Sequence, residues 1–92
     1  MNQNYYTTSS LALAAAIHLA SSSKLQTVEK SPDSRKALFI FNLTPDLENI
    51  VQRFWGQSLL LDAFSYFEAT KYVKARLYET RESEVRKENS RT

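Results

Sequence analysis

Residues 37–43 read Ala-Leu-Phe-Ile-Phe-Asn-Leu, and this stretch decides the fold. Alternate side chains of a β-strand point to opposite faces of its sheet. One face of this strand carries Ala37, Phe39, Phe41 and Leu43, and the other carries Leu38 and Ile40. Because both faces are apolar, the pattern predicts a central strand that is covered on both sides.

Two further strands flank this one. Residues 25–30 alternate loosely between apolar and polar side chains and end in Glu29 and Lys30, which is typical of an edge strand. The turn at residues 31–34 (Ser-Pro-Asp-Ser) is short, so the two strands pair antiparallel. Residues 5–8 (Tyr-Tyr-Thr-Thr) favour a brief first strand. A right-handed crossover places it on the far side of the central strand, which gives the strand order 1-3-2.

The first of three predicted helices spans residues 11–20, behind a cap at Ser9 or Ser10. It is rich in alanine, and its larger apolar residues point in several directions. We therefore expect this helix to be largely buried.

The second and third helices follow the central strand. Thr44 and Pro45 begin the second helix, and Gly56 ends it. Its core stripe recurs at helical spacing and consists of Leu47, Ile50, Val51, Phe54 and Trp55. Asp62 caps the third helix, which runs from Ala63 to about Thr80.

These elements predict a single α+β domain over residues 1–80, with a three-stranded antiparallel sheet and the element order β-α-β-β-α-α. We expect the first helix on one face of the sheet and the second and third helices on the other. Residues 81–92 carry seven charged side chains and form either a frayed continuation of the last helix or a disordered tail.

Composition excludes several classes of site. The 92 residues contain no cysteine, which excludes disulfides and thiolate chemistry, and the single glycine, Gly56, excludes glycine-rich nucleotide loops. The net charge of +2 permits an anionic partner without demanding one. The longest uncharged stretch, residues 1–23, has an apolar part too short to span a bilayer. We expect a cytoplasmic protein with no membrane contact.

One resemblance follows from three segments: YYTTSSLALAA at residues 5–15, TPDL at residues 44–47 and FWG at residues 54–56. Together they resemble a family of small bacterial and phage proteins described as a domain of unknown function, whose first segment reads Tyr-x-Thr-x-x-x-Leu-Ala. The resemblance covers residues 5 to about 78. It implies this architecture and a phage or mobile-element setting, and it carries over no catalytic residue.

Few residues suggest chemistry. His18 is the only histidine, has no acidic neighbour in the sequence, and is best interpreted as a partly buried side chain with one hydrogen bond. Asp46, Glu48 and Asp62 all stand where helices begin, where carboxylates stabilise free backbone N–H groups. We therefore predict that the protein is not an enzyme and has no metal site, no cofactor and no small-molecule substrate.

The third helix carries two separate stripes. Its core face consists of Ala63, Tyr66, Ala69, Thr70, Val73 and Leu77. A second stripe, at alternating spacings of three and four, consists of Phe64, Phe67, Lys71, Lys74, Tyr78, Arg81 and Val85. Its centre lies about 120° from the core face. One core does not need both stripes.

Three interpretations of the second stripe compete. In the first, Phe64 and Phe67 pack beneath the second helix near Trp55, as aromatic residues usually do. In the second, the stripe binds nucleic acid. In the third, Phe64 and Phe67 anchor an interface with a protein partner or a second copy of the chain.

Charge separates the last two interpretations. Two successive lysines on a coiled-coil seam would repel each other in a self-dimer, which favours nucleic acid slightly. The predicted function is a non-catalytic, nucleic-acid-associated accessory module of a phage or mobile element, with a protein adaptor or homodimer as the alternative. The predicted nucleic-acid contacts are Lys71, Lys74, Tyr78, Arg81, Arg76 and Arg53, and the predicted interface residues are Phe64 and Phe67.

Overall fold

The computed structural model describes residues 4–30 and 36–90, with side chains described up to Thr80. The elements are β1 (Tyr5–Thr8), α1 (Leu11–Ala20), β2 (Leu25–Lys30), β3 (Ala37–Asn42), α2 (Pro45–Trp55) and α3 (Ala63–Ser90). Both outer strands pair antiparallel with β3, so the predicted fold class, element order and strand order 1-3-2 are confirmed. The predicted turn at residues 31–34 lies outside the described residues.

Short polar side chains set where two of the helices begin. The Ser10 hydroxyl accepts a hydrogen bond from the Leu13 N–H at 3.1 Å and caps α1. The Asp62 carboxylate accepts from the Ser65 N–H at 2.8 Å and caps α3. Both caps are as predicted. Thr44 stands at the N-cap of α2, but its hydroxyl donates to the Asp46 carboxylate at 2.7 Å instead of accepting from the helix.

The end of α2 differs from expectation in one residue. Gly56 is the C-cap but keeps a right-handed φ of −81°, whereas the following Gln57 takes the left-handed value of 63°. The Gln57 and Ser58 N–H groups donate to the carbonyls of Phe54 and Arg53. This is the Schellman arrangement, with glutamine in the position that usually holds glycine. A Cβ on Gly56 would lie 3.1 Å from the Gln52 carbonyl oxygen. Glycine is therefore favoured here because a side chain would be crowded, and not because φ is left-handed.

The predicted layering of the helices is wrong. α1 packs against α2 and α3 as well as β1, so the three helices share one face of the sheet. Phe39 and Phe41 on that face are 2% and 0% exposed. Leu38 and Ile40 on the other face are only partly buried. Five consecutive residues of α1 (13–17) are buried, so this helix is covered by the sheet and by α2 and α3, and α3 also packs directly on β2.

The β3 core and the α3 surface make a matched test of this packing. Phe41→Ala should lower the free energy of unfolding by about 3–5 kcal/mol, because the lost ring leaves a cavity. Phe67→Ala should change it by less than about 0.5 kcal/mol, because that side chain is exposed. Urea unfolding at low protein concentration, followed by circular dichroism, measures both. A loss for Phe67→Ala as large as that for Phe41→Ala would contradict the exposed placement.

Candidate interaction surface on helix α3

One face of α3 joins the core. Ala69 and Val73 are 7% and 0% exposed, and Leu77 packs against the same cluster. The Tyr66 hydroxyl donates to the Ala12 carbonyl at 2.9 Å and ties α3 to α1. This is the predicted core face, except that Ala63 at its start is exposed.

The second stripe faces solvent. Here the outer stripe means Phe64, Phe67, Lys71, Lys74 and Tyr78, the members whose side chains are described. Phe64, Phe67 and Tyr78 are 70%, 58% and 53% exposed. The interpretation that placed the two phenylalanines beneath α2 is therefore wrong. Arg81 and Val85, which we assigned to the same stripe, lie outside the residues with described side chains.

The outer stripe carries little free positive charge. The Lys71 ammonium lies 3.6 Å from the Glu68 carboxylate and 5.3 Å from the centre of the Phe67 ring. Lys74 is exposed and has no ion-pair partner among the residues with described side chains. Arg53, in the last turn of α2, is also exposed. Two lysines, one of them paired, are a small electrostatic footprint for a surface that would bind phosphates.

Arg76, which we assigned to nucleic-acid contact, is engaged within the fold. Its guanidinium donates to the Gln26 carbonyl at 2.8 Å, to the Tyr72 hydroxyl at 2.9 Å and to the Leu25 carbonyl at 3.4 Å. The pairing of β2 with β3 shifts between Leu25 and Thr27, so Gln26 is an extra residue in the strand. Arg76 thus supplies donors to carbonyls beside this bulge and fastens α3 to β2.

His18 belongs to the same cluster. Its Nδ1 accepts from the Leu25 N–H at 3.1 Å, and its ring stacks on Tyr72 at 4.7 Å between centroids. Burial lowers the pKa of this imidazole below its usual 6.5, and the positive charges of Lys24 and Arg76 lower it further. The prediction of a partly buried histidine with one hydrogen bond is confirmed.

The carboxylates at the helix starts hold backbone and hydroxyl groups. Asp46 accepts from the Ser22 N–H at 2.8 Å and the Ser22 hydroxyl at 3.1 Å, so it joins the end of α1 to the start of α2. The hydrogen bonds from Thr44 and Ser22 lower the pKa of Asp46, and the Ser65 N–H lowers that of Asp62. Within residues 4–30 and 36–80, no cluster of three His, Asp or Glu side chains could hold a metal ion.

A cleft that sequence reasoning missed lies between the end of α2 and the start of α3. It is open, has a volume of about 340 Å³, and is lined by Phe54, Gln57, Leu59, Leu61, Ala63 and Tyr66. Trp55 and Leu60 nearby in sequence are 62% and 89% exposed. Our assignment of Trp55 to the α2 core stripe is wrong: its ring stands edge-on to Phe54 at 4.9 Å, on the outside. The three successive leucines at 59–61 were the available signal.

Comparison with known proteins gives one match. A family model described as a domain of unknown function (DUF5659) matches residues 3–79, a span that includes the whole outer stripe. No curated protein and no solved structure matches the chain. Among the described residues, no helix combines the length and the apolar character needed to cross a membrane.

Removal of the Arg76 guanidinium tests its structural role. Arg76→Ala should lower the free energy of unfolding by about 1 kcal/mol, because the β2 carbonyls lose their donors. Arg76→Lys keeps the charge but cannot reproduce the planar fork, so it should recover only part of the loss. Arg53→Ala is the control and should stay within about 0.5 kcal/mol of wild type. If Arg76→Ala unfolds at the same urea concentration as Arg53→Ala, the hydrogen bonds of Arg76 to β2 do not contribute to stability.

The His18 hydrogen bond makes stability depend on pH. The pKa of His18 is lowered in the folded protein and ordinary in the unfolded chain, so the unfolded chain binds more protons between the two values. The contribution of neutral His18 to the free energy of unfolding should be complete above pH 6.5 and should decline as the pH falls towards the lowered pKa. His18→Gln, whose amide oxygen can still accept a hydrogen bond, should flatten the fall in melting temperature across that range. A pKa at or above 6.5 in an NMR titration would contradict this assignment.

Proposed function

The chain belongs to the DUF5659 family, a domain of unknown function, and from the geometry of α3 we propose that it is a non-catalytic protein-binding module that docks its partner through the outer stripe. One observation carries the proposal: Phe64 and Phe67, adjacent on one face of a helix whose core face points elsewhere, are both more than half exposed. Aromatic side chains grouped on a helix face are typical anchors of protein interfaces.

The apolar character of this end of the molecule supports a protein partner. Besides the two phenylalanines, the exposed large apolar residues include Trp55, the last residue of α2, and Leu60, in the segment leading to α3. The open cleft beside them is lined mostly by apolar side chains and offers room for one from a partner. Exposed apolar side chains that lie together in a patch commonly mark interaction sites.

Charge supports a protein partner over nucleic acid. Arg76 donates to acceptors of its own chain, and Lys71 is paired with Glu68. Glu68 and Glu79 stand among the basic residues along the same part of α3. Binding of single-stranded nucleic acid combines aromatic stacking with a continuous positively charged groove. The described part of α3 offers exposed aromatic rings but no continuous positive charge.

Nucleic acid is the second candidate, and one observation favours it. Lys74 and Tyr78 are exposed at a spacing of four, so an ammonium and an aromatic ring lie one helical turn apart. A lysine that contacts a phosphate beside a ring that stacks on a base is the basic unit of such recognition. A nucleic-acid-associated role in a phage or mobile element stays a prediction in this form.

The placement of the polar residues supports a module without catalysis. The imidazole of His18 is stacked on Tyr72 and accepts from a backbone N–H. Asp46 and Asp62 are bonded to backbone N–H groups and hydroxyls. Each of these groups therefore already has a structural partner, and no two of them are brought together at the cleft.

Photo-crosslinking in the native cells tests the proposal. We expect a benzophenone-bearing phenylalanine in place of Phe67 to form a covalent adduct of higher mass on a denaturing gel, and nuclease should leave that mass unchanged. The same substitution at Thr7, exposed on the open face of the sheet, is the control and should form no such adduct. An adduct removed by nuclease would transfer the proposal to the second candidate. No adduct beyond the control would contradict binding through the outer stripe.

A further inference from the structure

The order of side chains along the outer stripe is self-complementary. From Phe64 to Lys74 it reads aromatic, aromatic, cation, cation. Read in the opposite direction it becomes cation, cation, aromatic, aromatic. A second helix of the same sequence, laid antiparallel, would therefore present lysines wherever the first presents phenylalanines.

We propose that the partner docked on the outer stripe is a second copy of this chain, with the two α3 helices antiparallel and each phenylalanine of one copy against a lysine of the other. The inference rests on the proposed function and names its partner. It requires Phe64 to face Lys74 of the second copy, and Phe67 to face Lys71, about a two-fold axis level with residue 69. Such an interface is isologous, since each contact occurs twice.

The spacing of the stripe selects this register. Positions 64, 67, 71, 74 and 78 alternate by three and four, the repeat of a coiled-coil seam, and in an antiparallel pair an a position faces a d position. Registers that keep this rule differ by seven residues. The next one places Lys71 against Lys74 of the other copy, which brings like charges together, and the one before it leaves only the first turn of α3 in contact.

A parallel pair fails for the same reason. It would place Lys71 against Lys71 and Lys74 against Lys74 in two successive layers, at the centre of the contact. This repulsion is the objection that the sequence raises against a self-dimer. It applies to the parallel arrangement and to the shifted antiparallel one, and the proposed register escapes it because every lysine meets a ring.

The pairing of lysine with phenylalanine already occurs within one copy. The Lys71 ammonium lies 5.3 Å from the centre of the Phe67 ring, within the range at which the ring face attracts a cation. The Phe67 side chain is 58% exposed, so much of its surface is open to a second partner. Exclusion of water on dimer formation would strengthen such contacts, which are worth most when desolvated.

The size of the surface sets the expected strength. From Phe64 to Tyr78 the stripe is about 21 Å long and a helix is about 10 Å wide. The area of a strip of this length and width is much smaller than the roughly 800 Å² per partner of a standard interface. The same register directs Tyr78 towards the segment before α3 of the other copy, where Leu60 is 89% exposed, and so adds contact at both ends. We expect a dimer in the micromolar range, formed and lost with concentration.

Sedimentation velocity and cysteine crosslinking test the dimer and its direction. Wild type should shift from monomer to dimer between roughly 5 and 500 µM, and Phe64→Ala/Phe67→Ala should raise the dimer Kd by more than about tenfold. The chain has no cysteine, so single substitutions give clean crosslinks. Phe64→Cys mixed with isotopically labelled Lys74→Cys should give mostly the mixed disulfide under mild oxidation. Thr7→Cys is the control and should not crosslink.

Each outcome decides between the two proposals. A concentration-dependent dimer with mixed disulfides supports the inference. A dimer in which Phe64→Cys joins its own kind overturns the antiparallel arrangement and leaves the protein-binding function standing. A monomer at every concentration, with a protein adduct of another mass in the photo-crosslinking experiment, overturns the inference alone. A monomer with no protein adduct overturns both.

Discussion

The burial of the middle of α1, residues 13–17, on all its sides is the constraint on which the rest of this structure depends. A helix that buries residues 13–17 in succession has no solvent-facing side over that span, so other elements must surround it there. The sheet covers one side, and α2 and α3 cover others. The hydrogen bond from the Tyr66 hydroxyl to the Ala12 carbonyl ties α3 to α1. With α1 inside, one sheet face stays open and α3 becomes an outer helix.

Polar residues then fix these layers in place. Between α1 and β2, the buried Ser21 hydroxyl donates to the Ile17 carbonyl, and Ser23 donates to the Asn42 carbonyl at the end of β3. Ser22, between them, donates to Asp46 of α2. No buried side-chain N or O atom of the described residues lacks a hydrogen-bond partner. Groups that resemble candidates for chemistry in the sequence are thus used to join elements, as buried polar groups must be.

Local structure was predictable because it depends on neighbours in sequence. The caps at Ser10 and Asp62, the strand limits and the strand order all follow from turns, caps and periodicity. The layering of the helices was not predictable. Two apolar faces on β3 are equally consistent with helices on both faces and with helices on one face and a partly shielded other face. Arg76 could not be assigned either: nothing local marks its acceptors, which lie about fifty residues earlier in β2. The exposure of Phe64 and Phe67 depends on this same long-range packing.

The exposed rings of α3 are apolar surface that the fold of one copy does not bury. Full burial of one phenylalanine contributes about 1.5–3 kcal/mol, so two rings per copy, more than half exposed, hold roughly 4–8 kcal/mol for a dimer. Association costs about 4–15 kcal/mol before any contact contributes. The rings alone therefore offset only the lower part of this cost, and the lysines placed against them must supply the rest. A surface of exposed rings and lysines is suited to reversible association with a partner that places positive charges against the rings.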